Sequence, residues 1–244
     1  MSRFKLLIVY DGTKYQGWQI QKDGRTVQGV IENAFIDLSE FDERIQVNGS
    51  GRTDAGVHAL GQVAHVDFHT NLDMQTFKNA LNAKLPEDCR IISIEQVNKD
   101  FHSRYDAKKR YYRYQCYEGY SLLYRNQCWI VKNIDMLSLN EIASYLIGNH
   151  DFLSFCKYRK ELENTVCEIF ESRWLVENNM IIYKVSANRF LHHMIRYLVG
   201  TMVGVCQGRI SSKYFKSLLK NPRKDVQILK APPQGLFLEK IKYE

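Results

Sequence analysis

The sequence predicts an α+β protein built as two ferredoxin-like (RRM-like) halves. Three observations predict it. Residues 6–97 read as strand, helix, strand, strand, helix, strand, the order of a split β-α-β unit. The rest repeats that order loosely, with no internal sequence repeat. Charge also changes sign along the chain: residues 1–104 carry 12 Lys+Arg against 14 Asp+Glu, and residues 105–244 carry 22 against 13. The halves are therefore expected to be 1–104 and 105–244, packed as one body because no low-complexity linker separates them.

Each element follows from its pattern. Leu6, Ile8 and Tyr10 alternate on one face of a first strand. Val27, Val30, Ile31, Ala34, Phe35 and Leu38 keep the spacing of an amphipathic helix. Residues 45–48 and 62–69 read as strands, the second with Ala64, Val66 and Phe68 alternating. Phe77, Ala80 and Leu81 mark a short helix before Pro86, and 91–97 is a strand. In the second half, 111–117 is a strand and 140–147 a helix. Residues 170–176 and 180–186 form a hairpin across Glu177-Asn178-Asn179. A long helix spans 190–206, with Phe190, Leu191, Met194, Ile195, Leu198 and Met202 on its core face. A helix over 211–220 and a strand over 236–243 follow.

Composition narrows the class. The 244 residues are 45% hydrophobic and 25% charged, enough apolar side chain for a core, so disorder does not describe the whole. No window approaches the roughly 20 apolar residues of a membrane span. The apolar run at residues 6–10 ends in Asp11, which does not suit a signal peptide. The six Cys contain no CxxC pair, so they read as reduced thiols of a cytoplasmic protein. The net charge of +7 concentrates in the second half, where a polyanion would be held.

Three segments could carry chemistry. In Gly49-Ser50-Gly51-Arg52-Thr53-Asp54-Ala55-Gly56-Val57-His58, three glycines permit turns closed to other residues and frame Arg52, Asp54 and His58. An acid beside a cation in a tight loop stays ionised, as a nucleophile or base must. The same residue types also suit an Asx-type turn with Arg52 as its partner. A phosphate loop is a weak reading, since Gly51 to Gly56 has its glycine spacing but Val57 and His58 stand where Lys and Ser/Thr are needed; a metal site at Asp54 and His58 is weak too, since no second cluster completes it. In residues 101–114, five cations interleave with four tyrosines. Such a strand can bind phosphates and stack unpaired bases, or can pack its tyrosines inward with its cations solvated. On the long helix, Arg189, His193, Arg196, Gly200 and Gly204 share one side; the cations could face a phosphate or carboxylate, and the glycines admit a second backbone.

Together these segments resemble the tRNA pseudouridine synthase A family. The likeness rests on Gly51-Arg52-Thr53-Asp54-Ala55-Gly56-Val57-His58-Ala59, with Tyr10-Asp11-Gly12-Thr13, Gly17-Trp18-Gln19 and Thr26-Val27-Gln28-Gly29 upstream. Downstream it continues through Phe101-His102-Ser103-Arg104, Tyr112-Arg113-Tyr114, Asp151-Phe152, the run from Phe190 to Arg196, Ala231-Pro232 and Gly235-Leu236. Tyr111 and Ser103 depart from the family's usual basic residue and alanine.

The resemblance implies one extended antiparallel sheet with flanking helices and a basic cleft between the halves. It implies a homodimer that converts uridines of the tRNA anticodon stem-loop, positions 38, 39 and 40, into pseudouridine. No cofactor and no metal are expected. Asp54 matches the catalytic nucleophile and Tyr112 the residue stacking on the target base; Arg52, His58 and Arg196 are the further substrate-binding candidates. Two other classes compete: a catalytically silent RRM-like RNA-binding protein, and a metal-dependent nuclease or phosphoesterase using Asp54 and His58.

Overall fold

A computed structural model describes residues 1–39, 44–160 and 163–244. The described residues form ten strands and five helices. In chain order these are β1 (Ser2–Tyr10), α1 (Val27–Ile36), β2 (Asn48–Gly49), β3 (His58–Phe68), α2 (Met74–Lys84), β4 (Cys89–Val97) and β5 (Lys109–Glu118). There follow β6 (Trp129–Val131), α3 (Met136–Ser144), β7 (Gly148–Asp151), β8 (Val166–Glu177), β9 (Met180–Ala187), α4 (Met194–Cys206), α5 (Ser212–Lys220) and β10 (Leu236–Lys242). No described helix is long and apolar enough to cross a membrane. The chain divides into two compact units, Met1–Lys108 with Phe237–Glu244, and Lys109–Leu236. The changeover thus lies at 108/109, and the final strand returns to the first unit. Residue 108 already belongs there, because its amide donates to the Lys242 carbonyl at 2.8 Å.

In the first unit, β1 lies antiparallel between β3 and β4, with Leu6 opposite both Ala64 and Ile94. β2 covers one stretch of the far edge of β3, at Asn48↔His65, and β10 runs parallel along another, at Phe237↔His58. The order β4-β1-β3-β2 is the one a split β-α-β unit requires. The alternation of β1 buries Phe4, Leu6, Ile8 and Tyr10. Helices α1 and α2 start where Thr26 and Asp73 accept amide protons of their first turns. Their apolar stripes meet the sheet around Phe77, whose ring lies 5.4 Å from Phe4, 6.0 Å from Phe35 and 5.5 Å from Phe68. A fully buried ring at such a junction is worth about 3–5 kcal/mol against alanine.

The strand expected over 45–48 shrinks to Asn48–Gly49. Side chains of α1 take the backbone groups that a ladder would have used. The Val47 amide donates to Glu32 Oε1 at 3.0 Å, and the Val47 carbonyl accepts Gln28 Nε2–H at 3.1 Å.

In the second unit, β9 pairs antiparallel with β5 and β8, β7 extends from β8, and β6 adds parallel to β5. The expected hairpin forms between β8 and β9. Asn178 and Asn179 both adopt left-handed backbone, at φ 50° and 62°, as a two-residue turn matched to the strand twist demands. Asp135 caps α3, and Ser172 Oγ donates to the Ala143 carbonyl at 2.8 Å while pairing with the Tyr183 hydroxyl at 2.7 Å. The long helix begins at Met194 rather than 190, because His193 sits at φ 63°, a conformation no right-handed helix passes through.

Candidate active site

The loop from Gly49 to His58 is held from behind by residues 10–19. The Trp18 amide donates to the Thr53 carbonyl at 3.1 Å, and the Gly56 amide to the Tyr15 carbonyl at 3.2 Å. The Tyr10 hydroxyl and Thr53 Oγ1 lie 2.8 Å apart in the core. Gly17 has φ 90°, and a Cβ there would fall 2.5 Å from the Thr53 carbonyl oxygen. A Cβ on Gly12 would fall on the Val57 carbonyl, and one on Gly49 would meet the Trp18 indole at 2.5 Å. The glycines and tyrosines flanking the loop in sequence are therefore its mould. Within it Asp54 is half-buried, and its carbonyl accepts the Val57 amide at 3.1 Å. Arg52 is exposed and donates through Nε to Gln19 Oε1 at 3.0 Å.

His58 faces the interior, at 2% exposure. Its Nδ1 accepts the Gly12 amide at 3.1 Å, its ring stacks on Phe237 with centroids 4.5 Å apart, and Asp11 Oδ1 lies 3.1 Å from Nδ1. A ring so placed ties the loop's end to β1 and β10.

A clamp secures the other side of the mould. Asp88 takes both Arg25 Nη groups at 2.7 Å and the Tyr15 hydroxyl at 2.7 Å, while the Arg25 guanidinium lies 4.1 Å from the Tyr15 ring centre. The Asp88 carbonyl also accepts the Asp11 amide at 3.0 Å. Arg25, with help from the Tyr15 hydroxyl, holds the Asp88 carboxyl below the usual carboxylate range against a desolvation cost. Burial and the Asp88 bond push the Tyr15 hydroxyl well above its ordinary value. These three residues went unremarked in the sequence. Only the short spacing of Tyr15 and Arg25 to the flanking motifs hinted at them.

The Phe101-to-Arg104 match is also largely scaffold. Ser103 is fully buried; its amide donates to His65 Nδ1 at 3.2 Å and its hydroxyl to the Asn48 carbonyl at 2.7 Å. Burial, with lesser effects of His102 and Arg3, lowers His65 to about 4, so its ring is neutral at physiological pH. The serine that departs from the family's alanine thus secures β2.

In the second unit, Tyr112 on β5 is 9% exposed and rests edge-to-face on Phe190, centroids 5.2 Å apart. Tyr114 is fully buried, its hydroxyl donating to the Pro232 carbonyl at 2.8 Å. Lys109 lies 4.2 Å from the Phe170 ring centre. Both of these tyrosines therefore have packing partners inside the unit. Arg196 is buried, and its Nε donates to the Ala231 carbonyl at 2.9 Å while the Ala231 amide returns to the Arg196 carbonyl at 2.9 Å. A Cβ on Gly200 would fall on the Leu229 carbonyl. The expected close backbone approach is thus the segment 229–231 lying on α4.

An α+β chain of positive balance, whose backbone-moulded loop carries a half-buried Asp54 two residues from an exposed Arg52, fits the class of enzymes that work on polyanions. A family model described as tRNA pseudouridine synthase matches residues 7–106 and 142–244. The protein called tRNA pseudouridine synthase A from Dictyoglomus turgidum is 40% identical, covering all of both chains. Its namesake from Ehrlichia chaffeensis is 38% identical over 99% of this chain and all of its own. That of Bacillus pumilus is 35% identical over 99% of each. The chain belongs to the tRNA pseudouridine synthase family.

Proposed function

We propose that this chain isomerises uridine to pseudouridine in tRNA, at positions 38, 39 and 40 of the anticodon stem-loop. The observation that carries the reading is the match to synthases along the whole chain, joined to the backbone mould around Asp54. Relatives named as synthases speak against the silent RNA-binding alternative.

The reaction breaks the N1–C1′ bond, turns the base, and joins C5 to C1′, with the proton lost from C5 balanced by one taken up at N1. Atoms are conserved, so the reading includes no redox cofactor, second substrate or metal. Asp54 is the nucleophile, whether at C1′, at C6 or by assisting glycal formation; a carboxylate serves such a role at sugar carbons elsewhere. Tyr112 stacks on the target base, whose release must be prevented while it turns. The base must first leave its stack, at a cost of a few kcal/mol that is least near a loop. Arg52 fills the gap left in the stem or binds the flanking phosphate. His58 and Arg196 act one step back, as residues that hold the backbone. Phosphate contacts from the basic second half position the tRNA without reading its sequence.

We place the enzyme in the cytoplasm as a homodimer, a reading supported by family resemblance and by cysteines that are all unpaired. The test is to map every anticodon-arm uridine of unmodified tRNA after incubation with the protein, with and without excess EDTA. Pseudouridine at 38, 39 and 40, indifferent to EDTA and with RNA length unchanged, is expected. EDTA-sensitive strand scission, or pseudouridine only outside this arm, would overturn the reading.

A further inference from the structure

We propose that Gln19 and Gln28 are positioning residues for Arg52, as the middle members of a hydrogen-bond relay from the buried carboxylate of Glu32 to the Arg52 guanidinium, two residues before Asp54 in the chain. The proposal rests on the role given to Arg52 above.

Glu32 on α1 is 3% exposed. Its Oε1 accepts Gln28 Nε2–H at 2.7 Å and the Val47 amide at 3.0 Å, and its Oε2 accepts Arg44 Nε–H at 3.0 Å. Gln28 lies one turn earlier, also buried, and all four of its side-chain bonding positions are used. Its second N–H goes to the Val47 carbonyl at 3.1 Å. Its Oε1 accepts Gln19 Nε2–H at 2.8 Å and the Ile20 amide at 3.2 Å. Gln19 in turn accepts Arg52 Nε–H on Oε1 at 3.0 Å.

The direction of this chain is forced. Arginine can only donate, and Glu32 accepts in each of its contacts, so each amide between them has one allowed orientation. Turning either amide over would set N–H against N–H at one end and oxygen against oxygen at the other. A surface arginine normally samples many rotamers. Here its Nε is anchored through half-buried Gln19 to the buried, saturated amide of Gln28, and the relay takes only Nε, so both Nη groups stay outside it. A guanidinium held by one edge with the other presented outward is preorganised for a phosphate or an emptied base position.

Gln28 is buried and its replacement risks the fold, so half-buried Gln19 is the test position. Two readouts are taken on the full-length protein. In ¹⁵N NMR, Gln19→Ala is expected to shift the Arg52 Nε–H signal and speed its exchange with water. In kinetics, Gln19→Ala is expected to lower kcat about tenfold, the scale of losing a hydrogen bond to a charged group, with Kd for tRNA within about twofold. The double variant with Arg52→Ala is expected to be no slower than Arg52→Ala alone. An unmoved Nε–H signal refutes the relay. Unchanged kcat, or losses that multiply in the double variant, refute the positioning role. Failure of the native protein to form pseudouridine would instead count against the function itself, and the NMR arm would still decide the relay.

Discussion

Gly17→Ala presses directly on the peptide that carries Asp54. At φ 90° an alanine is strained, by roughly 1–3 kcal/mol. Its Cβ would stand 2.5 Å from the Thr53 carbonyl oxygen, 3.1 Å from the Asp54 carbonyl carbon and 3.2 Å from the Ala55 amide. All three are backbone atoms, so no side chain can swing away. Ordinary contact needs roughly 1 Å more, and overpacking of this kind costs about 1–3 kcal/mol. Together the terms amount to about 2–6 kcal/mol, a Tm lowered by roughly 4–24 °C for a chain of this size. The relief that geometry offers is to push the 53–55 peptide outward. A 1 Å misplacement of a reacting group costs on the order of a hundredfold in rate. Calorimetry and tritium release from tRNA labelled at uridine C5 measure the two effects, with tRNA affinity expected to hold within severalfold. Gly51→Ala is the stability control, since a Cβ there meets nothing within 4 Å, and it should stay within about 0.5 kcal/mol of native. A Gly17→Ala protein with native Tm and kcat within threefold of native would refute the mould argument.

Two further outcomes follow from the same geometry. Asp88→Asn should destabilise by about 1–2 kcal/mol at neutral pH, a figure discounted because the Asp88 and Arg25 side chains are 23% and 35% exposed. Asp88 has a depressed folded-state pKa, so its contribution is whole above the ordinary carboxylate range and fades as pH falls below about 4. Denaturant titrations should therefore show the native and variant curves converging in acid; a gap that widens there would contradict the assignment. Tyr112→Leu should keep tRNA affinity within about tenfold while most turnover disappears; equal losses in both would mark the tyrosine as structural.

What the sequence disclosed, and what it hid, divides along physical lines. Periodicity found every helix and the long strands, because the buried alternation of β1 and the stripe Val27, Ile31, Phe35 are local signals. It missed β6 and β7, which are three and four residues long and owe their pairing to β5 and β8. It overextended β2 because side chains from α1 replace the ladder there, and it ran α4 through a left-handed His193. The return of β10 to the first unit is a long-range pairing, with no trace in local composition. At the site, the glycine pattern around Asp54 was legible, and the structure accounts for two of its members: Gly56 has φ 77° and Gly49 packs against the Trp18 indole, whereas Gly51 has open space around it. The partners were not: Arg25 with Asp88, and Gln19 with Gln28 and Glu32, meet across gaps of 63, 9 and 4 residues. Gln28 and Glu32 offered one faint sign, polar residues one turn apart on a helix otherwise packed by apolar ones.

Asp54 is the group proposed to sever and remake the link between sugar and base. Asp54→Asn keeps the size of the side chain and removes its charge, so the measurement is tritium release by this variant beside its tRNA affinity. Release reduced at least a thousandfold with Kd within about threefold is the predicted result; release within tenfold of native would contradict it.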